Sequence, residues 1–580
     1  MKPRISPAIT TAVAARRLPR WALAGLFICY FLLGIWSREA WRPWESDAFA
    51  FIHAMGTETL TGLASDLSQK SPLLPAWLPY WASALSVWIV HTTQTTIVPP
   101  EWAARIPVLL ALGLSLWKVW QTTRLLALTP AAQPIPMAFG GQASPSAYSN
   151  ALADASLLAM VATLGMALMS HEIGVSAWQL LSSAWLFHNV STWLLSAQPQ
   201  ALTQDPQRLG RLSSRTVSWM VGSLLAFLSG VWWLSLLAWG VWLTVCLIHR
   251  RPQQWPILMG AAIWLLLLGS TLSVAQSYTF NATWQSNDWR GWFKLLGWYL
   301  WPSWLLVIWA LWSWRKLWNQ THVLLPALFA VAIVIVSSFS NRPERILIMA
   351  LPVVAMLGVF ALPTLKKSIT GLMDWFALVF FTGGAIIIWG VWLSLMTGIP
   401  AKPAQNVYRL VPDYVAVFHL PTLLIALFVT LAWVGVIGWR LARHRPALWK
   451  SLTLSASGTT LCWVLLMTLW LPMLNEGLGY ASTAKKAGAF LNRQNASCVT
   501  VTTQIDASRL QALKRHNPHI SWHLEDAASD DSVDTSRQVA CEWHLNLSTQ
   551  ATPEIMPGYL HQERLIQASH RREFIDLYKR

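Results

Sequence analysis

The stretch W-R-P-W-E-S-D-A-F-A-F-I-H-A-M, Trp41 to Met55, sets Arg42, Glu45 and Asp47 close together just after the first apolar run, Trp21 to Trp36. Carboxylates so placed can act as a general base toward an acceptor hydroxyl, or hold a divalent cation through their oxygens. Similar charges recur in other breaks between apolar runs. Lys70 stands in K-S-P-L-L-P-A-W, Arg105 in A-A-R-I-P, and His171-Glu172 between two apolar runs with hardly any loop. Asp288-Trp289-Arg290 and R-P-E-R, Arg342 to Arg345, occupy two more. Lysine and arginine there would pair with phosphate oxygens and stabilise charge growing on a phosphate leaving group. The combination suits transfer from a phosphate-linked donor that is itself lipid-soluble.

Each residue also has a plainer reading. Glu45 can pair with Arg42, Asp47 can cap a surface helix, and Lys70 can reach lipid headgroups. His171 and Glu172 can mark a hairpin tip, and Arg342 and Arg345 can balance Glu344 or meet anionic lipid. Asp154, inside an apolar run, needs a buried partner, for which Arg105 is a candidate. The chemical reading therefore rests on convergence of several loops.

The elements that must position these residues are membrane helices. Of 580 residues, 54% are hydrophobic and 12% charged, with 40 tryptophans, and long apolar runs recur from Trp21 to about Met473. That composition defines a mainly α, polytopic membrane bundle, with about thirteen spans by length. They lie near 20–36, 105–124, 151–170, 173–196, 217–232, 233–248, 256–275, 293–314, 322–339, 345–364, 374–397, 418–440 and 452–473.

Leu73 to Val90 is also apolar, but Pro72, Pro75 and Pro79 crowd its start. If it does not cross, every strong basic cluster from the N-terminus to Arg440, Arg443, Arg445 and Lys450 falls on the cytoplasmic side. It is therefore expected as a juxtamembrane or re-entrant segment in one outer loop, 37–104. Residues 1–20 are then cytoplasmic, 21–473 form the membrane domain, and 474–580 lie outside. The formal charge of +17 is thus topological, and nucleic-acid binding gains no support.

The tail is polar and contains the alternating runs S-C-V-T-V-T-T and V-A-C-E-W-H-L-N-L, which suit strands of a small α/β domain. Cys498 and Cys541 lie one in each, either bridged in an oxidising compartment or left as two thiols. No Gly-rich phosphate loop, zinc-ligand cluster or nucleophile elbow is present.

In this order of motifs the chain resembles the membrane glycosyltransferases of the aminoarabinose (lipid A) transferase and protein O-mannosyltransferase superfamily, which have the GT-C fold. Their R-P-D-E-x-R-Y-A-x-x-x-x-x-M aligns with Arg42 to Met55, their K-P-P-L with Lys70 to Leu73, and their A-A-R-L-P with Ala103 to Pro107. A second external acid falls at His171-Glu172, and K-R-x-x-Y-x-x-P resembles Arg342 to Pro352.

The resemblance implies an enzyme of the bacterial inner membrane that moves a sugar from a polyprenyl phosphate to a lipid A, glycan or protein acceptor at the periplasmic face. It assigns Glu45, with Asp47 in reserve, and Glu172 as catalytic acids or ligands of a divalent cation. Lys70, Arg105, Arg342 and Arg345 would hold the donor phosphate, supported by Arg42 and His171. One departure stands out: Trp44 occupies the position of the family's leading aspartate. A catalytically silent scaffold or a lipid transporter are the alternatives.

Overall fold

The computed structural model describes residues 6–35, 37–57, 76–93, 98–196, 207–249, 289–340, 342–412, 414–442, 447–502, 505–525, 541–550, 552–553, 558–566 and 573–580. Lys70, Asp288 and the expected span 256–275 lie outside these residues.

Helix α1 (Arg20–Leu32) enters the bundle, and α2 (Trp44–Thr57) carries the opening charged stretch. The described part of the Pro-flanked apolar segment, from Ala76 on, forms one helix, α3 (Trp77–Thr92), which packs with α2 and with α4 (Pro100–Ala127). Pro100 opens α4 at a position where a missing N–H costs nothing. Helix α5 (Pro145–Ala162) starts the same way, and the Ser144 hydroxyl accepts the Ala147 N–H as its cap. After the short α6 (Leu164–Met169), a turn leads into α7 (Ser176–Ser196). Helices α8 (Gln207–Leu228) and α9 (Trp233–Ile248) follow.

The expected span 293–314 is two helices, α10 (Trp289–Tyr299) and α11 (Ser303–Ser313), bent by 88°. Pro302 lies at the break, where it cannot supply a helical N–H. Beyond α12 (Thr321–Ser338), the expected span 345–364 is also broken: α13 (Pro343–Leu347) and α14 (Leu351–Gly358) alternate with tight 3-10 turns. Residues 346–363 of this segment are all buried inside the protein, so they form the centre of the bundle. Helices α15 (Lys367–Thr397), α16 (Ala401–Leu410) and α17 (Leu420–Leu441) lead to α18 (Lys450–Leu465). That helix continues through a π turn into α19 (Leu471–Leu478).

Among the described residues, six helices are long and apolar enough to cross a membrane, or seven counting the bent pair, fewer than the sequence count. Helices α1 and α9 are apolar but short. Helices α5 and α7 are longer but carry polar side chains such as Asp154, Gln179, Ser183 and Asn189, all buried in the bundle.

The C-terminal domain is built on a five-stranded sheet in the order β2-β1-β3-β5-β4, with β1 Cys498–Val501, β2 Ser521–Leu524, β3 Trp543–Ser548, β4 Leu560–Ile566 and β5 Phe574–Lys579. Strand β1 is parallel to β2 and β3, while β5 runs antiparallel to β3 and β4. Helices α20 (Ala481–Arg493) and α21 (Ala507–His516) pack on it through Ala487, Leu491 and Leu513, against Val499, Val501, Leu545 and Leu577. Cys498 and Cys541 are bridged, tying β1 to the residue that leads into β3.

Candidate functional site

Glu45 sits in the first turn of α2 and is buried, 2% exposed. Its Oε2 accepts from the Arg38 guanidinium, and its Oε1 from Arg105 Nη2 at 2.7 Å and Nε at 3.2 Å. Arg105 also donates to the carbonyls of Arg38 at 2.6 Å and Glu39 at 2.8 Å. Both arginine side chains are fully buried. Burial alone pushes the Glu45 carboxyl up, but Arg38 and Arg105 outweigh it and hold it below the usual carboxylate value. The Ile173 N–H donates to the same Oε1 at 3.0 Å, so Glu45 also fixes the turn that follows α6.

That turn carries Glu172. Gly174, φ +128, lets the chain reverse where a side chain is disfavoured, and Ala48 of α2 lies against it. Glu172 Oε2 pairs with Arg345 Nη1 at 2.7 Å, with both side chains partly exposed, and Arg345 Nη1 also donates to Ser176 Oγ at 2.9 Å. Burial pushes the Glu172 carboxyl up; Arg345 opposes this and Glu45 reinforces it. Trp44, the first residue of α2, presents its ring to the same pair. The Arg342 guanidinium carbon lies over it, 3.3 Å from the ring centroid, and that of Arg345 is 5.6 Å away. Trp44, Glu172, Arg342 and Arg345 thus form one partly exposed group in front of the buried Arg38-Glu45-Arg105 cluster.

The remaining expected residues lie elsewhere. Arg105 was expected on a donor phosphate, but its hydrogen bonds go to Glu45 and two backbone carbonyls. Asp47 faces the C-terminal domain, where it lies near Ser508, Asp506 and Arg509. Arg42 donates to the Gly477 carbonyl and covers the Tyr480 ring at 5.3 Å, which latches the loop to the joint below that domain. His171 is a packing residue: its ring nitrogens face the carbonyls of Ala167 and Tyr30, and its ring packs on Tyr30 and Trp463. Asp154 does not meet Arg105; it accepts from Trp120 Nε1 at 2.9 Å and Leu18 N at 3.1 Å, near Arg17 at 3.6 Å.

Arg38 is the functional neighbour that the sequence reading missed. Its only sequence signal was one more charge near the lip of α1. Trp44 was seen as a departure, but its stacking on Arg342 joins loops almost three hundred residues apart and leaves no local signature.

No family model matches the chain, and no curated protein matches it in sequence. Two solved structures match it almost end to end. Crystalline ArnT from Cupriavidus metallidurans bound to undecaprenyl phosphate has a TM-score of 0.56 and 14% identity, covering 96% of this chain and 98% of that one. The apo state of the same protein gives 0.54 and 15%, with 96% of each chain covered. The chain has the ArnT fold. It is thereby a multi-pass helical membrane protein of GT-C architecture with a small C-terminal sheet domain, as the motif order had implied.

On this ArnT fold the expected cation site finds a poor set of ligands. Both Glu45 oxygens are engaged by guanidinium groups, which leaves Glu172 as the one expected carboxylate facing the opening. A divalent ion there would also meet the positive charges of Arg342 and Arg345. The donor set does not fit a metal bridged by Glu45 and Glu172. A group formed by Cys498, Cys541 and His523 is no better, because the two sulfurs are joined to each other.

Proposed function

We propose that the protein is a glycosyltransferase of the bacterial inner membrane, which moves a sugar from a polyprenyl-phosphate donor to a lipid, glycan or protein acceptor at the periplasmic face. The observation that carries this is the pairing of Glu172 with Arg345, beside Arg342, in the fold of a protein crystallised with undecaprenyl phosphate. The positive-inside bias supports a cytoplasmic N-terminus and an outer C-terminal domain.

Arg342 and Arg345 are proposed to take the donor phosphate oxygens. When Arg345 turns to the phosphate, Glu172 loses its partner and becomes a stronger base. Glu172 then accepts the acceptor hydroxyl proton while that oxygen bonds to the anomeric carbon. The bond from that carbon to the phosphate oxygen breaks, and its electron pair leaves with the polyprenyl phosphate, neutralised by the two guanidinium groups. Direct displacement inverts the anomeric carbon. Glu45 is reassigned from base to positioning residue, since it holds the Ile173 amide next to Glu172.

The loss of an acid at Trp44 also favours a second reading, a silent protein that binds the lipid phosphate without transfer. An in vitro assay with radiolabelled polyprenyl-phosphate sugars separates the two. Active wild type with Glu172→Gln reduced by about a hundredfold or more supports the base role. Full activity in Glu172→Gln sinks it, and donor binding without turnover in wild type favours the silent reading.

A further inference from the structure

A groove of about 640 Å³ opens between α1, α17 and α18; its Trp439 and Trp449 end lies away from Trp44 and Glu172, while Cys29 and Leu461 at its other end adjoin Tyr30 and Trp463, which pack on His171. Helix α18 fixes this separation: it begins at Lys450 beside the groove and runs, through α19, to Leu478 below the C-terminal domain. That length is roughly 40 Å, so the Trp449 end of the groove lies toward the opposite face of the membrane. Its wall runs along α17 from Phe428 to Trp439, roughly 16 Å, which matches half of a bilayer's hydrocarbon thickness.

The lining is almost wholly apolar, and small residues make the space. A methyl group added at Gly25 or Gly435 would meet nothing within 4 Å. The groove is open sideways, because Trp21 and Phe428 on its rims are 80% and 69% exposed. Its closed end is different. There Trp439 and Trp449 stack with their planes 5° apart, and Lys450 Nζ lies 4.9 Å over the Trp439 ring. Arg440 follows in the last turn of α17, and Arg20 begins α1 after Arg16 and Arg17. Among the described residues, Asp374 pairs with Arg440 and Asp154 lies near Arg17. An apolar slot about one leaflet long, ending in tryptophan with lysine and arginine beside it, has the two halves of an anionic lipid site.

We propose that this groove is a binding site for an anionic glycerophospholipid of the leaflet opposite the Trp44 and Glu172 end of the bundle. One acyl chain lies between α1 and α17, and the phosphate meets Lys450 and the arginines at the start of α1. The site is separate from the donor site and does not depend on the transferase reading.

The test uses the full chain in nanodiscs, followed by native mass spectrometry of retained lipid. Phosphatidylglycerol and phosphatidylcholine of equal chain length are compared, with undecaprenyl phosphate as a third probe. Wild type is expected to retain phosphatidylglycerol over phosphatidylcholine, and Lys450→Gln to lower that preference by about fivefold. Gly435→Phe is expected to abolish retention of phosphatidylglycerol by filling the slot, and Gly25→Leu repeats the test on the facing helix if the first variant does not fold. Equal retention of the two phospholipids, retention unchanged in a folded slot variant, or uptake of undecaprenyl phosphate alone overturns the proposal.

Discussion

Glu45 carries its charge between two buried guanidinium groups, so its value is measured by what Arg38 and Arg105 would be without it. Glu45→Gln keeps the shape and removes the charge. It leaves two buried cations short of an anion, which costs about 3–5 kcal/mol and should appear as a large drop in thermal midpoint in detergent. The pH dependence follows from the lowered carboxyl. A group held below its unfolded value stabilises the fold above that value, and this contribution is lost only as pH falls through the lower, folded one. The gap between wild type and Glu45→Gln should therefore stay level from neutral pH into mild acid. A gap that closes near pH 6 would contradict the assignment. Glu172 has the opposite sign. Its folded value is raised, so the acid limb of the proposed transfer should lie above the value of about 4.3 for a free glutamate. Its ionised form opposes folding as pH rises through that window, so Glu172→Gln should lower the midpoint far less than Glu45→Gln. A pH–rate profile and a pair of melting curves check both statements.

At the scale of elements, α2 and the segment opening α13 meet through one stack, Trp44 on Arg342. The stack holds a long, exposed side chain in the pose proposed for phosphate. Trp44→Ala should raise the KM for the polyprenyl-phosphate donor about two- to fivefold, the worth of an exposed cation–π contact, with kcat little changed. Trp44→Phe keeps an aromatic face and should fall within twofold of wild type. Steady-state kinetics with varied donor decides it: equal losses in both variants, or a loss confined to kcat, would reject the positioning role. Helix identities were largely legible, because apolar runs of spanning length and basic loops are local signals. Helix breaks were less so. Pro302 and Pro343, Pro352 and Pro363 were visible in the sequence, yet whether a proline kinks a span or divides it depends on what packs around it. The site divided in the same way. The pairing of Glu172 with Arg345 follows from two distant loops being brought together, whereas Glu45 beside Asp47 gave no hint of which would turn inward. The 3.6-residue helical period sends them to different faces, and only Arg38 and Arg105 decide which face is buried.

At the scale of the molecule, the C-terminal domain rests on the elements that carry the proposed site. Arg515 of α21 grips Glu101 at the start of α4 with two nitrogens, one at 2.7 Å, and Gln511 Nε2 donates to His53 Nδ1 of α2 at 2.6 Å. Trp41 Nε1 reaches Asn475 Oδ1 at 2.9 Å, just below the joint. The domain therefore clamps α2 from outside while Glu45 holds it from within. A double-mutant cycle with Glu101→Gln and Arg515→Gln should give a coupling of about 1 kcal/mol, the upper end for a pair with this much exposure. Hydrogen exchange supplies the sharper readout. In Arg515→Gln, amides of α2 should exchange faster, while those of β3 and β5, inside the domain's own core, keep their wild-type protection. Unchanged exchange in α2 would mean that the bundle alone sets its position. Faster exchange throughout the sheet would mean that Arg515 supports the domain's fold and not its docking.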